Sequence, residues 1–223
     1  MTWLFVAGLV SAVIGAARGT WSPCGESMLS SITPVGERTR GYRWGVTVAM
    51  FLTAATLGGA FTGWVIGHLG AFVLDGRAGL VAGAVLVAAL IAAVVDGTSL
   101  RRYVNWPHRQ VDERWFSTHR RWVYATLFGA QLGLGFLTVI PAALILLIAL
   151  LAAGTGDPVA AAIIGATFGA TRGLSLFAVV RANDPVVLRR IMAKVSATAR
   201  PAQVATTVTS IGVAGVALAA LVA

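Results

Sequence analysis

Six stretches of this chain are apolar over lengths that suit a lipid environment: Trp3 to Ile32, Trp44 to Ile66, Ala78 to Val95, Trp122 to Ala152, Pro158 to Val180 and Val204 to Val222. A membrane helix needs about 20 mainly apolar residues to cross the hydrocarbon core. Four of the runs have that ordinary length. The first and fourth, at about 30 residues each, are too long for one simple crossing at ~1.5 Å per residue, so they are expected to be tilted, broken or re-entrant. Only 11% of residues are charged and 57% are hydrophobic, where a soluble domain carries roughly 25% charged residues. The reading is therefore an all-α membrane protein of six transmembrane helices, with no separate soluble domain. The first positive charge is Arg18, behind the apolar stretch, so run one reads as a span and not as a cleaved leader.

A net charge of +9 invites a nucleic-acid reading, and the placement of the cations removes it. Arg38, Arg40 and Arg43 follow run one. Arg101, Arg102, Arg109, Arg114, Arg120 and Arg121 follow run three, and Arg181, Arg189, Arg190, Lys194 and Arg200 follow run five. Basic residues in alternate loops are a topology signal. They put loops 33–43, 97–121 and 181–203 in the cytoplasm and both termini outside the cell membrane, with anionic lipid contact as a secondary use. Tyr103, Trp106, Trp115, Trp122 and Tyr124, in and just after the middle loop, suit an interfacial aromatic belt.

Three spans on either side of that loop must cross in opposite senses, which is the inverted repeat of many transporter folds. The expected division is 1–96 as the first half, 97–121 as a basic linker and 122–223 as the second half. Ala55, Thr56, Leu57, Gly58, Gly59 in run two resembles Ala166, Thr167, Phe168, Gly169, Ala170 in run five, and the two overlong runs occupy corresponding positions.

Polar chemistry concentrates inside the overlong runs. Run one carries Arg18, Gly19, Thr20, Trp21, Ser22, Pro23, Cys24, Gly25 and Glu26. Proline removes a backbone donor and glycines flank it, so the helix is expected to break there, and backbone freed at membrane depth must be buried or line a wet cavity. Cys24 is the only cysteine, which rules out an intrachain disulfide. A lone cysteine is usually a small buried apolar residue, but beside a helix break and a cation it is a candidate nucleophile. Run four has its own interruption, with Gln131, Gly133, Gly135, Thr138 and Pro141. In run five Arg172 shares a helix face with Gly165 and Gly169 and is expected to point into the bundle, with Glu26 as its candidate counter-charge. His68, His108 and His119 have no metal-ligand spacing, and no phosphate loop or hydrolase triad is present, so neither metal nor cofactor is expected.

Ser22, Pro23 and Cys24, with Pro34 just beyond the first run, resemble the cytochrome c biogenesis and thiol-disulfide interchange family, CcdA and the transmembrane core of DsbD. The resemblance implies a six-helix inverted repeat that carries reducing equivalents from thioredoxin outward through two cysteines, one after a proline in the first helix and one at the matching place in the fourth. Cys24 matches the first. The matching stretch, Gly135, Phe136, Leu137, Thr138, Val139, Ile140, Pro141, has no cysteine. Thiol exchange needs a second thiol to resolve the mixed disulfide, so a thioredoxin-fold partner or a second copy would have to supply it. The alternatives are a transporter of a small anionic or zwitterionic solute with Arg18 and Arg172 as counter-charges, of which LysE-type exporters are an example, and a non-catalytic assembly factor.

Overall fold

The computed structural model describes residues 2–74, 76–98, 100, 119–135 and 142–222. Its elements are α1 (Thr2–Arg18), α2 (Pro23–Ser31), α3 (Pro34–Thr39), α4 (Trp44–Leu74), α5 (Ala78–Gly97), α6 (Arg121–Leu134), α7 (Leu144–Gly154), α8 (Pro158–Leu174), α9 (Pro185–Ala197) and α10 (Ala199–Val222). Short 3-10 turns, Gly19–Trp21 and Ser175–Val179, follow α1 and α8. Among the described residues no strand occurs.

Among the described residues, five helical stretches are long and apolar enough to cross a membrane: Thr2–Trp21, Trp44–Leu74, Ala78–Gly97, Pro158–Val179 and Pro185–Val222. The chain is thus a multi-pass membrane protein by length and composition. Run four, expected to be tilted, broken or re-entrant, is broken, and it adds no sixth helix of spanning length among the described residues. It is divided into α6 and α7, of 14 and 11 residues, each too short to cross alone at ~1.5 Å per residue. α6 ends at Gly135, whose φ of 74° lies in the left-handed region that a glycine enters without steric cost. Run two, expected to stop at Ile66, continues as helix to Leu74 because Gly67 and Gly70 keep packing against Pro158 and Ala153.

Small residues set the arrangement around α4. A Cβ on Gly59 would lie 2.1 Å from the carbonyl oxygen of Gly165, and a Cβ on Gly165 would lie 2.1 Å from that of Gly59. Gly63 meets Ala161 and Gly169 meets Ala55 in the same way. The partners run in opposite order along the two chains, so α4 and α8 pack antiparallel, backbone against backbone. On another side, Gly129 meets Phe51 and Gly133 meets Ala55, in the same order, so α6 runs parallel to α4. Lipid tails are as apolar as the side chains, and van der Waals contact made by such close approach therefore drives helix association. α1 leans on α8 and α7 through Gly8 against Ile164 and Gly15 against Ile148.

These directions bring the described parts of the basic segments to one end of the bundle. Trp44, which begins α4, stacks edge-on with Phe177 after α8, the ring centroids 5.8 Å apart. Arg121, which begins α6, lies over the Tyr42 ring at 5.1 Å. The Val35 amide donates to the Ala182 carbonyl at 3.2 Å. Trp122 is exposed, as an interfacial belt residue should be, whereas Tyr124 is fully buried and does not belong to the belt. Its hydroxyl has a carboxylate partner inside the protein, described below. Tyr103, Trp106 and Trp115 lie outside the described residues.

The packing makes a contrast testable. Gly59→Ala forces a methyl group into the α8 backbone and should destabilise the protein by about 1–3 kcal/mol. Gly79→Ala, on α5 with nothing within 4 Å of the added carbon, should be neutral or stabilising by up to ~1 kcal/mol. Thermal unfolding in detergent compares the two.

Candidate functional site

The break in run one is built by its own sequence. Ser22 is extended, with φ −93° and ψ 159°, and caps α2. Its hydroxyl donates to the Gly19 carbonyl at 2.6 Å and accepts from the Gly25 amide at 3.1 Å. Pro23 occupies the first helical position, where a missing amide proton costs nothing. A Cβ on Gly25 would fall 2.3 Å from the Gly19 carbonyl oxygen, so only glycine lets α2 fold back this closely on the turn. Cys24 therefore sits in the first turn of α2, 1% exposed. It belongs to an apolar cluster with Met28, Leu29, Phe51 and Phe128 at the basic end of the bundle.

Arg172 enters this corner from the last turn of α8, 1% exposed. It points toward run one. A Cβ on Gly19 would overlap its Nη1 atom, so the absence of a side chain at Gly19 makes the seat of the guanidinium. Cys24 is close enough to interact electrostatically with it. Nε, Nη1 and Nη2 of Arg172 have no hydrogen-bond partner among the described residues. Beside it the Thr20 hydroxyl donates to Ser175 Oγ at 3.1 Å, tying the break to the turn after α8. Arg18, 6% exposed, ends α1 immediately before the break.

Not every expected residue joins this corner. Glu26 is exposed on α2, so the expected counter-charge role is corrected: an exposed carboxylate does not neutralise a buried guanidinium, and no ion pair joins the two. Pro23 is exposed, Gln131 lies half-buried on α6, and Thr138 and Pro141 fall outside the described residues.

Two buried carboxylates escaped the sequence reading. Glu37 on α3 is 0% exposed. It accepts from the Tyr124 hydroxyl at 2.7 and 2.9 Å and from the Thr47 hydroxyl, and pairs with Arg40 at 2.9 Å. This cluster joins α3, α4 and α6. Its sequence signal was a lone acid in a basic loop, just after the cap and proline of Thr33 and Pro34. Asp96, 2% exposed near the end of α5, accepts from the Ala143 and Leu144 amides at 2.7 and 3.2 Å. It satisfies otherwise orphaned donors at the start of α7 and complements the helix dipole. The Gln203 side chain on α10 donates to the Asp96 backbone carbonyl at 2.8 Å.

Comparison with known proteins gives a partial match. The chain is 32% identical over 168 residues to the methylamine utilization protein MauF of Paracoccus denitrificans, which covers 74% of this chain and 60% of the relative. It is 30% identical over 170 residues to MauF of Paracoccus versutus, covering 74% and 61%. The chain thus spans about three-fifths of the length of these relatives. No family model and no solved structure matches.

Charge coupling distinguishes the two clusters. Glu37→Gln and Tyr124→Phe should each destabilise, Tyr124→Phe by about 1–3 kcal/mol. Combined, they should deviate from additivity by about 0.5–3 kcal/mol. Arg172→Leu and Glu26→Gln should add within about 0.5 kcal/mol. Unfolding midpoints of the two double-mutant cycles decide the matter.

Proposed function

We propose that this chain is a membrane protein that handles thiols or reducing equivalents through Cys24 for the maturation of extracytoplasmic proteins, in the service of methylamine utilization. Supporting the role is the seat of Cys24 in the first turn of a helix beside the buried Arg172 guanidinium. Reactive cysteines occur at helix N-termini next to cations. The similarity to MauF supports that physiological setting. In the step envisaged, the Cys24 thiol gives up its proton and the thiolate attacks a partner's disulfide. A Cys24–partner disulfide forms, and the partner's second sulfur leaves as thiolate and takes up a proton. A thiol of a second, thioredoxin-fold partner then attacks the Cys24 sulfur and releases the first partner as a dithiol. The second partner's other thiol attacks the new mixed disulfide, so that reduced Cys24 leaves and the second partner carries the oxidation away as its own disulfide. Since Cys24 is buried, this exchange requires an opening of the corner. α9 is suited to move, because its Leu188, Ile191, Met192 and Val195 pack against the Cys24 cluster while none of its residues is fully buried.

In the same reading the chain forms two three-helix halves, 1–96 and 122–223, with α6 and α7 together making the sixth crossing. The antiparallel contact of α4 with α8 supports it, being what halves of opposite sense require. The gathering of basic segments at one end supports a cytoplasmic assignment for that end and an extracytoplasmic one for both termini.

A second reading, transport of a small anionic solute, is favoured by one observation, the Arg172 guanidinium without hydrogen-bond partners among the described residues. A buried charge without a partner is costly in a low-dielectric interior, and a bound anion would offset that cost.

Cys24→Ser should abolish methylamine-dependent growth in a host lacking the native chain and prevent trapping of a mixed disulfide. Full growth of this variant would end the thiol reading. Arg172→Gln with trapping intact and growth lost would favour the solute reading instead.

A further inference from the structure

A groove of about 530 Å³ opens between the turn that follows α8 and helix α9. Phe177, Val187 and Ile191 give it an apolar floor, and Arg181, Arg190 and Lys194 line it with cations. We infer that it is a binding site for one anionic phospholipid.

Position, charge and shape lead to the same ligand. The groove begins where the apolar stretch Pro158–Val179 ends, at the end of the bundle that gathers the basic segments, which is headgroup level for a protein in a bilayer. All three cations are exposed, and so is the Phe177 ring at 48%. α9 contains no acidic residue. The nearest acid in sequence, Asp184, uses its carboxylate to accept from the Val186 and Val187 amides at 2.8 and 2.9 Å as the cap of α9. Three cations, two of them on a helix that carries no acid, suit an anionic headgroup over a zwitterionic one. A free phosphate would engage the cations and leave the apolar floor uncovered, whereas a lipid covers it with the start of an acyl chain.

α9 is also the wall between this groove and the interior. Trp21, in the break of run one, donates its indole N–H to the Val195 carbonyl at 2.6 Å. A lipid seated in the groove therefore holds down the helix that packs against the Cys24 cluster. The site itself stands on the groove and its charges, and does not depend on any role for Cys24.

The test is lipid titration of the purified protein in detergent, followed by native mass spectrometry. One equivalent of phosphatidylglycerol should be retained in preference to phosphatidylcholine. Replacing Arg181, Arg190 and Lys194 together by Gln should weaken retention on the order of 100-fold, and each single replacement about fivefold. Arg189→Gln, which removes a cation of α9 that does not line the groove, should leave it unchanged. The singles, at exposed positions, keep the result readable if the triple variant fails to fold. Equal retention of phosphatidylcholine, unchanged retention in the variants, or displacement by glycerol phosphate as efficient as by whole lipid would each overturn the proposal.

Discussion

Everything in this bundle is hung on the place where the α4 backbone touches the α8 backbone. Gly59 and Gly165 each present a bare Cα to the other's carbonyl, with room for no Cβ on either side. In lipid there is little hydrophobic gain from burying one apolar side chain against another, so close backbone packing must supply much of the association energy. The contact places α4 between α8 and α6, fixes the relative directions of all three, and so gathers the basic segments at one end. It also aims Arg172. The face of α8 that offers Gly165 and Gly169 to α4 continues to Arg172, which passes the end of the zipper and comes to rest over Gly19.

Three of the four buried charged residues among those described then receive three different treatments. Glu37 is fully satisfied by two hydroxyls and a guanidinium, and it serves as a clamp between α3, α4 and α6. Asp96 is spent on the first turn of α7, and this decides where the second piece of run four begins. Arg172 has its three nitrogens without hydrogen bonds among the described residues. Buried polar groups are normally paired because a low-dielectric interior makes an unpaired one expensive. Structural duty therefore accounts for the two carboxylates, and the arginine is the group left over for chemistry. Cys24 shares its corner, which is why the thiol and anion readings converge on one place.

Much of this was legible in the sequence. The apolar runs announced a helical membrane protein, because length and composition alone decide whether a segment can live in hydrocarbon. Proline, serine and glycine in run one announced the break at Ser22 and Pro23, because capping and proline chemistry are local. The burial of Arg172 followed from its small-residue face. What a single helix cannot announce is its partner. Glu37 with Tyr124 and Asp96 with the Ala143 amide are pairings 87 and 47 residues apart. A residue's own surroundings in the chain say only that an acid or a phenol is present, so Tyr124 read as an interfacial anchor and Glu26 as the counter-charge of Arg172. Only the crossing of α4 with α6 and α8 turned Tyr124 inward onto Glu37, set Gly19 beneath Arg172, and left Glu26 in the open. Local backbone chemistry dictated where this chain is helical and where its first run breaks, whereas the meeting of its buried charges required helices to approach one another, which depends on tertiary packing.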